Sequence, residues 1–277
     1  MQPRRSQRNP KPTAKYAAYK KTLVKKTGKP TAVLTKAVNQ IVRRNEETKF
    51  IVDAPWKGSG TLAAFTDFTT AITGTGEIYS LIPRVSQGID DHNRIGQEIR
   101  PVSLKAIMTA SINTRMISSE YVNVHFFFLT CKGVKDQTHV NSVPIGRLLN
   151  QGDGTNTGFS GALYNSQLPV NKSDFTVIKH KVVRLYKTQD SPNGQAIGSG
   201  VLNTVGSGRL NHFQTFKVKI PTPKKLVYDV ATSAIPTNYF PFVVCGWTFP
   251  DDNGGTVSSN TNDVRIQGQL QMYYKDA

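Results

Sequence analysis

Two segments near opposite ends of the folded part of the chain, VSLKAIMTASI at Val102 to Ile112 and DVRIQGQLQMYY at Asp263 to Tyr274, are apolar at alternate positions. A period of two places Val102, Leu104, Ala106, Met108, Ala110 and Ile112 on one side of an extended strand. It does the same for Val264, Ile266, Leu270, Met272 and Tyr274 in another. A helix repeating every 3.6 residues would scatter either set around its axis, so both segments are strands. FQTFKVKI follows the same rule, with Phe216, Val218 and Ile220 opposed to Thr215, Lys217 and Lys219. EYVNVHFFFLTC and YFPFVVCGWTF are apolar on both faces, as strands buried on two sides are. FTVIKHKVVRLY reads as two short strands or one bent one, and one or two more fall within Leu62 to Leu81. That makes about eight strands, joined by loops such as SQGIDDHN and NQGDGTNTGFSG whose Gly, Asn, Asp and Ser suit irregular connections. Within the body only VPIGRLLN is helix-like. Many strands, long polar loops and almost no helix predict a sandwich or barrel.

The first 44 residues take no part in this pattern. They hold 13 Lys and Arg and no acid, the first acid being Glu46. The chain has 35 bases and 18 acids, so the net +17 divides into +13 on residues 1–44 and 22 − 18 = +4 on residues 45–277. An arm of one sign cannot fold on itself and needs a dense counter-charge, for which polyphosphate is the natural partner. The candidate phosphate ligands are Arg4, Arg5, Arg8, Lys11, Lys15, Lys20, Lys21, Lys25, Lys26, Lys29, Lys36, Arg43 and Arg44. Composition predicts disorder over 1–30, and Leu34, Val38, Ile41 and Val42 predict a short helix within 31–44. The expected organisation is therefore a basic arm over 1–44 and one β domain over 45–277. The paired clusters Arg4-Arg5, Lys20-Lys21 and Lys25-Lys26 also suit nuclear import.

Convergent chemistry is not visible. The five histidines stand singly, with no His/Cys/Asp spacing for zinc, and His125 reads as a face or core residue of a strand. TGKPT lacks the upstream glycine and the hydroxyl of a phosphate-binding loop, and no glycine set completes a dinucleotide fingerprint. Asp90-Asp91 and Asp251-Asp252 read as solvated turn residues rather than a Ca²⁺ site. Cys131 and Cys245 read as buried reduced thiols, and Asn171-Lys172-Ser173 as an unused glycosylation acceptor. Met1 leads into charge and proline rather than an apolar signal core, and no run of about 18 apolar residues is present to span a membrane. The chain is expected to be neither an enzyme nor a cofactor or metal protein.

One segment narrows the field. IYSLIPRVSQGIDDHNRIGQEIRPVSLKAIMTASI, Ile78 to Ile112, resembles the signature region of coat proteins from small circular, replication-initiator-encoding single-stranded DNA viruses, the circovirus-like group. In that family an apolar strand runs into Gln-Gly and a polar loop, then Arg-x-Gly-x-x-Ile and an alternating strand. The matching residues here are Gln87, Gly88, Arg94, Gly96 and Ile99. NEETKF after the basic arm, and a last strand ending near residue 277, fit the same layout. The resemblance implies an all-β fold, a single eight-stranded antiparallel jelly roll of two four-stranded sheets. It implies a shell of about 60 identical copies, with the arm inward and the loops near 150–160, 188–208 and 250–263 outward as insertions. Arg94 would belong to the inner surface or to a subunit contact. The implied partners are further copies of the chain, a viral single-stranded DNA genome, nuclear import receptors and a host-cell attachment factor, with no membrane insertion. The implied locations are the virion and, during assembly, the host nucleus. Two other readings stand beside this one: the coat of a small RNA virus or satellite, and a cellular β-sandwich binding nucleic acid or carbohydrate.

Overall fold

The computed structural model describes residues 47–53, 66–68, 78–112, 121–186, 213–248 and 264–276, and the single residues 32 and 72. The chain divides into two units, Met1–Glu47 and Thr48–Ala277, and all the strands belong to the second. Of the helix expected within 31–44 only Ala32 is described, and it is helical; the loops 188–208 and 250–263 and the disorder expected over 1–30 lie outside the described residues.

The strands in chain order are β1 (Thr48–Asp53), β2 (Thr66–Phe68), β3 (Tyr79–Ser80), β4 (Glu98–Ile112), β5 (Tyr121–Cys131), β6 (Leu149–Asn150), β7 (Asn156–Thr157), β8 (Phe175–Tyr186), β9 (Phe213–Ile220), β10 (Leu226–Val227), β11 (Pro241–Thr248) and β12 (Val264–Asp276). The helical pieces among the described residues are 3₁₀ turns at Gln137–Ser142, Ile145–Arg147 and Leu163–Gln167. One sheet has six strands, a second runs β3-β11-β5-β8, and β6 and β7 form a separate pair. All the strand pairings are antiparallel.

The six-stranded sheet departs from the expected four by subdivision of its edges. β1 and β2 pair in succession along one side of β12, at Leu270 to Lys275 and Val264 to Ile266. On the far side, β9 and β10 pair in succession along β4, at Leu104 to Ser111 and Glu98 to Ile99. The sheet is thus four strands wide, β1-β12-β4-β9, opposite β3-β11-β5-β8. In both sheets strands from the two ends of the domain lie side by side, which makes the fold an all-β, jelly-roll-like sandwich.

Side-chain alternation builds two apolar clusters rather than one. Even-numbered residues of β5 (Val122, Val124, Phe126, Phe128) and odd-numbered residues of β11 (Val243, Cys245, Trp247) point between the sheets. There they meet Leu104, Ala106, Met108 and Ala110 of β4 and Leu270, Met272 and Tyr274 of β12. The opposite face of β5 and β11 carries Phe127, Leu129, Cys131, Phe242 and Val244. It is roofed by Ile145, Leu148, Leu149, Phe159 and Val170 from the connection between β5 and β8. Each fully buried aromatic or aliphatic side chain contributes about 1.5–3 kcal/mol, so a bare outer face would be strongly unfavourable. The sequence 150–160, expected as an outward loop, is a hairpin tip whose return leg delivers Phe159 to this second cluster. Cys131 and Cys245 are free and buried, one in each cluster, on opposite faces of the same sheet.

Two bulges interrupt the predicted alternation. On β4, Ser103 pairs with Tyr273 and Pro101 with Tyr274, which leaves Val102 without a partner. The extra residue reverses the phase of the strand. Ile99 and Leu104 therefore both point inward, while Val102, assigned from the sequence to the apolar face, is more than half exposed. On β8 the shift falls at Ile178, between the pairs Leu129↔Val177 and Phe128↔Lys179, so this segment is the single bent strand of the two alternatives.

Gly246, opposite His125 on β5, lies directly under Phe159: a Cβ built there would be 2.6 Å from two of its ring carbons. Gly246→Ala is expected to lower stability by about 1–3 kcal/mol through overpacking. Phe159→Leu combined with it should cost less than the sum of the two single changes, as read from urea unfolding midpoints.

Candidate functional site

The residues singled out from the sequence fall into two groups. The thirteen cations Arg4 to Arg44 lie outside the described residues. Gln87, Gly88, Arg94, Gly96 and Ile99 are all described, in the connection from β3 to β4 and the first turn of β4.

This connection folds back on itself. Arg94 N–H donates to the Ser86 carbonyl at 3.0 Å, and Gly88 N–H donates to the Arg94 carbonyl at 3.0 Å. The Gln87 amide donates to the Ile95 carbonyl at 2.9 Å. Gly88 leaves room for the Asn93 side chain, whose Nδ2 would be 2.5 Å from a Cβ at that position and which donates instead to Asp90 Oδ2 at 3.0 Å. Asp90 and Asp91 are exposed, so the first acid pair is the solvated turn expected; Asp251-Asp252 lies outside the described residues. The loop is also bound to the ends of β1 and β12. Lys49 Nζ donates to the Asn93 carbonyl and pairs with Asp276, both at 2.8 Å, Ile95 N–H donates to Asp276 Oδ1 at 3.2 Å, and the Tyr274 hydroxyl donates to the His92 carbonyl at 2.8 Å.

Arg94 is the centre of the knot and is fully buried. Its Nη1 donates to the Gly96 carbonyl, which explains Gly96 as a backbone acceptor rather than a ligand site. Nη2 reaches the carbonyls of Val230 and Ala231 at 3.1 Å and of Ser233 at 2.7 Å. The guanidinium lies 4.2 Å from the centre of the Tyr228 ring. Burying an unpaired cation costs several kcal/mol, and here converging carbonyl dipoles and an aromatic face replace the usual carboxylate. Burial pushes the Tyr228 hydroxyl well above its ordinary pKa even though Arg94 beside it acts the other way, so the phenol stays neutral. Ile99 is buried and pairs with Leu226 of β10, closing the same corner. Arg94 is thus buried within the domain, where the motif holds the loop over 85–97 against the segment over 226–235.

A second assembly was not visible in the sequence. His125 on β5 and His180 on β8, read as isolated, are brought to 3.3 Å between Nδ1 and Nε2. Their rings stack around Phe127, which lies 4.3 Å from His180, and the Phe159 ring covers His125. Burial, and secondarily the neighbouring His180, lowers the His125 pKa from 6.5 to about 4. Asn171 of the glycosylation triplet is buried, its amide donating to the Arg147 carbonyl at 3.0 Å and to Asp174 Oδ2 at 2.9 Å, so it is a turn-former. Among the described residues no three His, Cys, Asp or Glu side chains are grouped to hold a metal. No family model matches the chain, and no curated protein sequence matches it.

Two outcomes follow from these arrangements. Arg94→Met is expected to cost more than about 3 kcal/mol, because several carbonyls lose a charged donor at once, and Arg94→Lys to recover only part of it. Neither change should alter the affinity of the remaining folded protein for an oligonucleotide in a fluorescence-anisotropy titration. For His125, the unfolded chain takes up a proton below about pH 6.5 that the native state refuses until about pH 4. Stability is therefore complete above pH 6.5 and declines as the pH falls toward 4, by roughly 3 kcal/mol for this group. His125→Gln should flatten that part of the urea-midpoint profile.

Proposed function

We propose that the protein is the coat protein of a small circular single-stranded DNA virus of the circovirus-like group. In this reading copies of the β domain associate into a closed icosahedral shell of about 60 subunits, and the arm over 1–44 gathers the genome inside. The observation that carries the reading is the separation of charge: +13 on 44 residues without an acid, joined to a body of 233 residues with a net +4. A body close to neutrality can pack against copies of itself, while the arms repel one another until phosphate neutralises them, so assembly and packaging become coupled. Sixty arms would carry about 780 positive charges into the enclosed space. A flexible chain of this length has an r.m.s. span of about 35–40 Å, enough to reach well inside such a shell.

The jelly-roll-like sandwich supports this reading, as does the order of motif and strand in Ile78 to Ile112. Contacts to phosphate carry no base information, so packaging would be largely independent of sequence. The paired basic clusters of the same arm would serve entry into the host nucleus. The role is structural rather than enzymatic.

Electron microscopy of the purified protein with its bound nucleic acid is the direct test. Closed particles containing DNase-sensitive single strands are expected. RNase-sensitive cargo would assign the protein to a small RNA virus, and solitary molecules free of nucleic acid in every buffer would return it to a cellular binding role. Deleting residues 1–44 is expected to leave a folded body that no longer retains nucleic acid. Retention by the intact chain should weaken steeply with salt, with a log–log slope of about −0.7 for each phosphate neutralised.

A further inference from the structure

The two sheets differ in what covers their outer faces. The outer face of β3-β11-β5-β8 is roofed by the chain's own apolar connection. The outer face of β1-β12-β4-β9 instead presents three rows of polar side chains set by register: Gln271–Lys105–Lys219, Gln269–Ile107–Lys217 and Gln267–Thr109–Thr215. Lys105, Lys217 and Lys219 are exposed, and these rows contain no carboxylate. None of the three lysines has an ion-pair or hydrogen-bond partner among the described residues. Lys105 and Lys219 are directly opposite each other on neighbouring strands, a placement that destabilises a sheet unless an anion sits above it. Thr109 and Thr215 hold the next rows in position with a hydroxyl hydrogen bond of 2.8 Å.

An aromatic pair adjoins the cations. Phe50 of β1 and Tyr273 of β12 stack with centroids 4.5 Å apart on this same outer side, and Tyr273 is 41% exposed. Cations beside an exposed aromatic ring on an open sheet face are the elements of a single-strand platform: phosphates meet ammonium groups while a base stacks on a ring.

We infer that the outer face of the β1-β12-β4-β9 sheet is a second nucleic-acid site, which binds single-stranded DNA through Lys105, Lys217 and Lys219 and stacks a base at Tyr273. This rests on the packaging reading above and adds to it a surface of the folded domain, independent of the arm. The strand would run across the sheet along the lysines, with the amides of Gln267, Gln269 and Gln271 as donors to either phosphates or base edges.

The test uses full-length chains and a fluorescent (dT)30 oligonucleotide titrated by anisotropy over a range of NaCl concentrations. Lys105→Gln/Lys217→Gln/Lys219→Gln is expected to make the log–log salt slope shallower by about 2, which is 0.7 for each of three contacts. The corresponding triple arginine variant should keep the parental slope, and Tyr273→Ala should weaken binding with no change of slope. A variant with Lys20, Lys21, Lys25 and Lys26 changed to Gln should retain the part of the slope that the sheet-face variant loses. Unfolding midpoints of the glutamine triple should match or exceed the parent's, since a like-charge opposition is relieved. If the glutamine triple titrates like the parent while the arm variant loses all binding, the sheet-face site is wrong and the packaging arm stands. If the parent itself shows no salt-dependent binding, both fall. An unchanged slope with altered sedimentation of the triple would make this face a contact between copies, which also overturns the inference.

Discussion

The strands β5 and β11 are apolar on both faces, and that constraint organises the rest of the domain. A strand with Val122, Val124, Phe126 and Phe128 on one side and Phe127, Leu129 and Cys131 on the other cannot lie at a surface. One side is covered by the β1-β12-β4-β9 sheet and the other by the connection between β5 and β8, which must therefore carry its own apolar residues up to Phe159. Gly246 follows from the same requirement, since the Phe159 ring occupies the space a side chain would need. The burial of His125 is a further consequence, because the roof that covers the phenylalanines also covers its ring.

Once the four-stranded sheet is covered on both sides, the other sheet needs only one apolar face. Its outer side is then free to be polar, and its central rows carry lysines, glutamines and threonines beside Ile107. Charge is handled in two opposite ways in this domain. Arg94 is taken out of water entirely, its Nη1 and Nη2 donating to carbonyls and its guanidinium lying over a ring, while its Nε has no partner among the described residues. Lys105, Lys217 and Lys219 are left exposed, with Lys105 and Lys219 directly opposite each other.

Much of this was legible from the residues. The alternations of β9 and β12 gave their buried sides correctly, and the two-sided apolar runs marked β5 and β11 as interior strands. Val102 was misplaced because a bulge adds one residue here, for which Pro101 was the local signal, and one extra residue inverts the side on which its neighbours fall. Phe159 was lost in a glycine-rich turn, where composition suggested only solvent. The motif residues stood out as a set in the sequence, but the contacts they make did not. Three of the four carbonyls that accept from Arg94 are more than a hundred positions away, and a carbonyl leaves no mark in a sequence.

Residue order alone determined the all-β class and the placement of +13 of the net +17 before residue 45, because periodicity and composition are local properties of a chain. Tertiary structure decided everything that depends on register. It set Lys105 opposite Lys219, His125 against His180 and Arg94 beneath the loop at 230–233. Those pairs come from segments remote in sequence, and only the apolar packing between and above the sheets selects which residues meet.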